Sequence, residues 1–209
     1  MTTRSARTER KICDIDFADD IVLLSGSPTE AQDQLNSFSK EAKEVGILIN
    51  ADKTKRLCLN QPEGQSIDPM RHEDNIIEVV EDFKYLGSYV VSTENDIQAR
   101  VGLTWSAFNL LRPVLTANKL ELKLRMRIFN AACISILLYG CETWTLTQKL
   151  EDKLNIFVRK LYRLMLNIKQ AEAHLTNEDL YKRVRQQPIA EEIRKRQLRF
   201  IGHVLRMSQ

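Results

Sequence analysis

Apolar and polar positions alternate from Lys11 to Phe17, with Cys13, Ile15 and Phe17 on one face and Asp14 and Asp16 on the other. That period of two predicts a short strand. Ile21 to Leu24 is a second strand-like run. Only Ala18, Asp19 and Asp20 lie between them, which leaves room for a tight turn and nothing longer. The two adjacent carboxylates therefore belong to a hairpin tip. Ser27-Pro28-Thr29-Glu30 then has the form of a helix start, with a capping serine, proline at the first helical position and glutamate behind it. Ala31, Leu35, Phe38, Ala42 and Val45 follow at helical spacing, and Gly46 ends the run.

Beyond that helix the pattern predicts a strand at Ile47-Leu48-Ile49, a polar turn over 50–55 and another strand at Leu57-Cys58-Leu59. Residues 60–75 read as an exposed loop. Ile76 to Val80 and Phe83 to Val91 read as a second hairpin, with Gly87 marking a bulge or a close approach of backbone. After Thr93 only helical periods remain. Ile97 to Leu111 should stop before Pro113. Leu120 to Tyr139 should run to Gly140. Leu146, Leu150, Leu154, Phe157, Leu161 and Leu164 form one stripe, Thr176 caps a short helix, and Pro188 opens a last one with Ile189, Ile193, Phe200 and Val204 in phase. The expected fold is α+β: short antiparallel strands with a packed helix over residues 1–92, then an all-helical region over 93–209.

The charge distribution sharpens that division. Residues 1–100 hold 12 Lys and Arg against 19 Asp and Glu, a balance of −7. Residues 101–209 hold 19 against 9, a balance of +10. An acidic half suits cations and a basic half suits phosphates, although a solvated helical surface carries the same charges. The longest apolar run, Ala131 to Tyr139, is too short to span a bilayer. No basic-then-apolar leader opens the sequence, and the four cysteines form no CxxC pair. These features predict an intracellular protein, nuclear or cytoplasmic and not secreted, without a structural zinc site.

Two adjacent carboxylates repel each other, so their placement on one tip is explained either by solvation or by a cation. Magnesium prefers hard oxygen ligands. Two-metal phosphoryl or nucleotidyl transfer needs carboxylates that bridge the ions. Phe17-Ala18-Asp19-Asp20, set between two apolar strands, resembles the catalytic hairpin of reverse transcriptases, in the form used by non-LTR (LINE-type) retrotransposons. The order of segments downstream is similar too. Gly46 to Asn50 with Lys53-Thr54-Lys55 resembles the next palm motif, and Phe83-Lys84-Tyr85-Leu86-Gly87 resembles the primer-grip hairpin. Leu138 to Trp144 and Arg199 to Met207 resemble segments that follow the palm in these elements.

The resemblance implies roles residue by residue. Asp19 is the main ligand for Mg²⁺ and Asp20 its weaker partner. Phe17 and Ala18 lie near the incoming nucleotide and primer end. Lys53 or Lys55 neutralises or protonates departing pyrophosphate, and Lys53 is placed with the catalytic pair. Tyr85, Leu86 and Gly87 hold the primer backbone. Residues 1–92 are then a partial palm and 93–209 a thumb with an extension. That thumb grips RNA template and DNA primer through Arg159, Lys160 and Arg163 on one helix and Arg194, Lys195, Arg196, Arg199 and Arg206 on the last. Trp105 and Trp144 read as core anchors.

The family also carries a third catalytic aspartate on an earlier palm strand, preceded by fingers. About ten residues precede the hairpin here, and Asp14 and Asp16 lie on the strand that enters the turn rather than on a separate one. The expectation is an N-terminally truncated fragment that does not polymerise alone. The competing expectations are a non-catalytic nucleic-acid-binding module and a non-functional remnant of a retroelement. Oligomeric state is not legible.

Overall fold

The computed structural model describes residues 12–60, 68–168 and 175–207. The chain divides into two compact units, Met1–Leu86 and Gly87–Gln209. The first mixes one helix with short strands; the second is mostly helical.

In the first unit, β1 (Asp14–Phe17) and β2 (Asp20–Leu23) pair antiparallel with Phe17 opposite Asp20, so the turn is Ala18-Asp19 alone. Two-residue loops match the twist of a hairpin. The helix α1 (Pro28–Glu44) starts as its sequence requires: the Ser27 side chain accepts from Glu30 N–H, and Glu30 reaches back to Gly26 N–H. Its end is closed by Gly46 N–H donating to the Lys43 carbonyl and Ile47 N–H donating to the Ala42 carbonyl, the paired bonds of a Schellman motif. That second bond explains a difference from the expected strand at 47–49. Ile47 is spent on the helix end, Ile47 and Leu48 are largely exposed, and the segment joins no ladder among the described residues.

The remaining strands pair in an order that local patterning did not predict. β3 (Lys55–Leu57) lies two residues earlier than expected. β4 (Arg71–His72) and β5 (Asn75–Ile76) form a small hairpin inside the segment expected to be loop, of which residues 61–67 lie outside the described residues. β6 (Glu78–Val80) pairs with β3 in parallel, not with the segment after Phe83. Between β5 and β6, Ile77 is buried and its N–H donates to the Met70 carbonyl. The core here is small: Leu35, Met70 and Ile77, with Leu23, Ala31 and Ile49 against them. β7 (Lys84–Tyr85) ends this unit.

The second unit opens with β8 (Ser88–Tyr89) and α2 (Thr93–Leu115), capped by Ser92. The helix does not stop at Leu111; it continues through Pro113. Proline removes one hydrogen bond and crowds the preceding turn. Here Asn109, whose carbonyl loses its partner, is exposed to water, and the last turn is anchored by Leu115, which is fully buried. α3 (Leu122–Phe129) runs into a π-helical turn at Asn130–Ile134 and then α4 (Ser135–Leu137), so the expected long helix is interrupted. α5 (Gln148–Met165) and α6 (Asn177–Val184) begin on the caps Thr147 and Thr176. In α7 (Ile189–Met207), Ile189 and Ile193 are buried, but Phe200 and Val204 are exposed, which corrects the expectation that the whole stripe enters the core.

The core of this unit is large and aromatic at its centre. Phe108, Phe129 and Tyr162 meet edge to face, and Trp105 stacks on Phe108. Trp144 is buried as well. Arg125 is buried in this unit and ties two helix ends together. Its Nη1 donates to the carbonyl of Leu115 at 3.2 Å and of Met165 at 2.7 Å. These lie at the C-terminal ends of α2 and α5, where orphan carbonyls and the negative ends of two helix dipoles welcome a cation. Arg125→Met leaves both carbonyls without this donor, at about 1–3 kcal/mol for a buried group left unpaired, offset by no longer burying a charge. The expected net loss is about 2 kcal/mol, read as a lower urea midpoint. An unchanged midpoint would show that the cap adds nothing.

None of the four cysteines is paired in a disulfide. Burial pushes the Cys133 thiol up to about 11 and the Cys141 thiol up to about 12. Cys13 is exposed and Cys58 partly so. At pH 8 a thiol reagent is expected to label Cys13 and Cys58 promptly and the other two only after denaturation. Prompt labelling of all four in the native chain would contradict this core.

Candidate functional site

The hairpin tip sets the geometry of the candidate site. Asp19 sits in the turn and Asp20 is the first residue of β2, so both carboxylates are on one element, at adjacent positions. Both are exposed, and among the described residues neither is held by a hydrogen bond or an ion pair. Ala18 supports the turn with φ of 54°, a left-handed conformation that costs an L-residue roughly 1 kcal/mol. Phe17 is the last residue of β1 and is 61% exposed. A large aromatic ring left in water beside two free carboxylates is not explained by core packing.

Asp14 and Asp16 face a different environment. They line an open groove of about 630 Å³ against α1, together with Glu30, Asp33 and Glu41. Asp19 and Asp20 are not part of its wall. Among the described residues no group of three or more His, Cys, Asp or Glu side chains gathers in a metal-binding arrangement. The chemistry of the tip, two exposed hard oxygen donors with no basic partner among the described residues, fits a hard cation such as Mg²⁺. It does not by itself complete a two-metal site.

The two candidate lysines have different surroundings. Lys55 lies opposite Glu78 in the β3–β6 pair and its Nζ is 2.6 Å from Glu78 Oε2. Lys53 is exposed in the turn fixed by Asn50, whose Oδ1 accepts from Lys53 N–H at 3.1 Å. The Lys53 ammonium has no partner among the described residues, so it is the cation available to an anionic ligand.

Tyr85 is brought to the acidic hairpin: its hydroxyl donates to the Ile15 carbonyl at 3.4 Å. Leu86 and Gly87 form a turn with positive φ at both residues, 47° and 88°. Glycine takes that conformation freely and leucine does not, so Leu86 is held there against its preference.

The basic residues of the helical unit are unequal. Arg194 grips Glu151 at 2.5 and 2.6 Å, Arg196 reaches Glu192 at 3.4 Å, and Lys195 is bonded to Gln187. Arg159 donates to the Tyr181 hydroxyl and Arg163 to Asn177 Oδ1. Lys160 lies 4.9 Å from the Trp105 ring centroid. Arg199 and Arg206 are exposed and carry no hydrogen bond or ion pair among the described residues. Sequence reasoning missed one polar cluster in this unit, Asp96 with Arg100. The signal for it was indirect: the indole N–H of Trp144 needs an acceptor once the ring is buried. No helix of the described residues is long and apolar enough to cross a membrane.

Known proteins extend these observations. No solved structure matches the chain. Over an alignment of 209 residues, which covers 94% of this chain and 73% of the relative, it is 29% identical to a transposon-derived protein of Caenorhabditis elegans. Residues 2–90, the span that holds the carboxylate tip, Lys53 and the Leu86-Gly87 turn, match the profile of the reverse transcriptase (RNA-dependent DNA polymerase) family.

Proposed function

We propose that the chain is part of the RNA-directed DNA polymerase of a LINE-type retrotransposon, with a partial palm followed by a helical thumb. The observation that carries this reading is the exposed Asp19-Asp20 pair on one tight hairpin, inside the span that matches reverse transcriptases. Mg²⁺, when bound, neutralises phosphate charge and lowers the pKa of an attacking hydroxyl. In the intact enzyme Asp19 and Asp20 would hold that ion against nucleotide phosphates, with weak or no binding by this chain alone. Phe17 lies beside them toward the nucleotide. Lys53 stabilises charge that develops on departing pyrophosphate, where a fixed cation contributes most. The Leu86-Gly87 turn, with Tyr85 docked on β1, carries the primer backbone.

Among the described residues no third carboxylate gathers with Asp19 and Asp20, and two-metal transfer needs carboxylates that bridge both ions. The expected behaviour of this chain on its own is binding of nucleic acid without primer extension. The second reading, a non-catalytic nucleic-acid-binding module, describes that same behaviour and is favoured by the +10 balance of residues 101–209.

Purified protein with Mg²⁺, an RNA template and a labelled DNA primer is expected to give no extension. Template-dependent extension abolished by Asp19→Ala would overturn the inactivity. Fluorescence anisotropy with an RNA–DNA duplex is expected to show binding that weakens at least tenfold between 50 and 200 mM salt, as roughly several phosphate contacts imply. Arg199→Ala and Arg206→Ala are each expected to lower the salt slope by about 1. No binding at low salt would sink the whole reading.

A further inference from the structure

The polar cluster at the start of α2 has a geometry that core packing does not require. Asp96 is 1% exposed. Its Oδ2 accepts from Trp144 Nε1 at 2.8 Å, and its Oδ1 accepts from Tyr89 N–H at 3.3 Å. Arg100 Nε stands 3.7 Å from Asp96 Oδ1. Arg100 Nη2 donates to the Gly87 carbonyl and to Ser88 Oγ, and its guanidinium lies 4.4 Å from the Tyr139 ring centroid. Among the described residues, side-chain hydrogen bonds of this pair reach three consecutive residues, Gly87, Ser88 and Tyr89, as well as the Trp144 indole. The same segment is confined at Gly140, which has φ of 71° and where an added Cβ would come within 2.5 Å of Ser88 Oγ.

A buried ion pair is weak evidence for stability, because apolar residues of similar volume pack as well or better. What a charged, forked pair supplies and apolar residues cannot is a fixed direction for particular carbonyl and N–H groups. Here those groups belong to the backbone that follows Leu86, the residue held at positive φ.

We propose that Asp96 and Arg100 are positioning residues for the primer-binding turn. Asp96 anchors the Tyr89 N–H, Arg100 anchors the Gly87 carbonyl and the Ser88 hydroxyl, and together they present Leu86-Gly87 to the primer strand of an RNA–DNA duplex in one conformation. This rests on the reading of that turn as a primer contact. The basic helices supply general affinity, and the Asp96–Arg100 pair supplies register of the primer strand.

The test uses the full chain with Cys13→Ser and Cys58→Ser to remove accessible thiols, and Leu86→Cys as a reporter. A duplex with a thiol tethered to the primer backbone near its 3′ end is crosslinked by disulfide exchange, while anisotropy measures total duplex affinity. Into this chain go Arg100→Lys, which keeps the cation and loses the fork, and Asp96→Asn, which keeps one acceptor and loses the charge. The expected result is a crosslinking yield at least fivefold lower in both, with duplex Kd within twofold and melting still cooperative. Unchanged crosslinking overturns the proposal. So does a joint fall of crosslinking, affinity and melting temperature, which is the signature of a merely structural pair. Absence of duplex binding by the chain with neither substitution overturns the polymerase-fragment reading itself, and is distinguished by its independence of Asp96 and Arg100.

Discussion

Phe129→Ala is expected to destabilise the helical unit by about 3–5 kcal/mol, seen as a lower urea midpoint with the slope unchanged. Phe129 has no exposed surface. Its ring meets Phe108 at 6.2 Å and 84°, and Tyr162 at 5.6 Å and 63°. Edge-to-face pairs of this kind add about 0.5–1.5 kcal/mol beyond burial, so truncation removes two such contacts as well as the ring. The neighbourhood also resists collapse. Phe129 is the last residue of α3 before the π turn, and the helices α2 and α5 that carry Phe108 and Tyr162 are fixed at their C-terminal ends by Arg125. A cavity that cannot close costs more than the transfer of the lost atoms. Leu110→Ala serves as the control: Leu110 is 81% exposed, and its loss is expected to stay within about 0.5 kcal/mol. A loss below about 1.5 kcal/mol for Phe129→Ala would mean that the aromatic centre is not packed as described.

The parts of this fold that were legible in sequence are those fixed by neighbours in the chain. The carboxylate hairpin was readable because three residues between two apolar runs permit only a tight turn, and the observed turn is tighter still, with Asp20 already in β2. The starts of α1 and α6 were readable because a Ser or Thr side chain satisfies a backbone N–H three residues on, an event that needs no tertiary partner. The parallel pairing of β3 with β6 was not readable, because Lys55 and Glu78 are brought together across a long intervening segment and nothing local encodes it. The same pairing engages Lys55 with Glu78 and leaves Lys53 in the turn, a difference in surroundings that the sequence does not encode. Pro113 misled because proline ends a helix only where the lost hydrogen bond cannot be replaced by water. Asp96 and Arg100 drew no attention in the sequence because an acid in the first turn of a helix with a base four residues later has the form of a solvated surface pair. Only the approach of Trp144 and the 87–89 segment makes that pair a buried one.

Asp96→Ala is the companion prediction, with an expected loss of about 3–5 kcal/mol, the range for removing one partner of a buried pair. The size follows from what is left behind. Arg100, nearly as buried, keeps its charge and loses its carboxylate, while Trp144 Nε1 and Tyr89 N–H lose their acceptor. Asp96→Asn keeps a carbonyl oxygen for one of the two donors and is expected to cost about half as much, since a partial set of hydrogen bonds survives. The decisive comparison is the pair Asp96→Ala with Arg100→Met. If the single loss reflects a stranded cation, removing that cation should recover roughly 1–3 kcal/mol of it. The double variant should then be more stable than Asp96→Ala alone, even though it has lost one more native side chain. If instead the losses simply add, the pair is not coupled. Arg100 would then be held by the Gly87 carbonyl and the Tyr139 ring independently of Asp96.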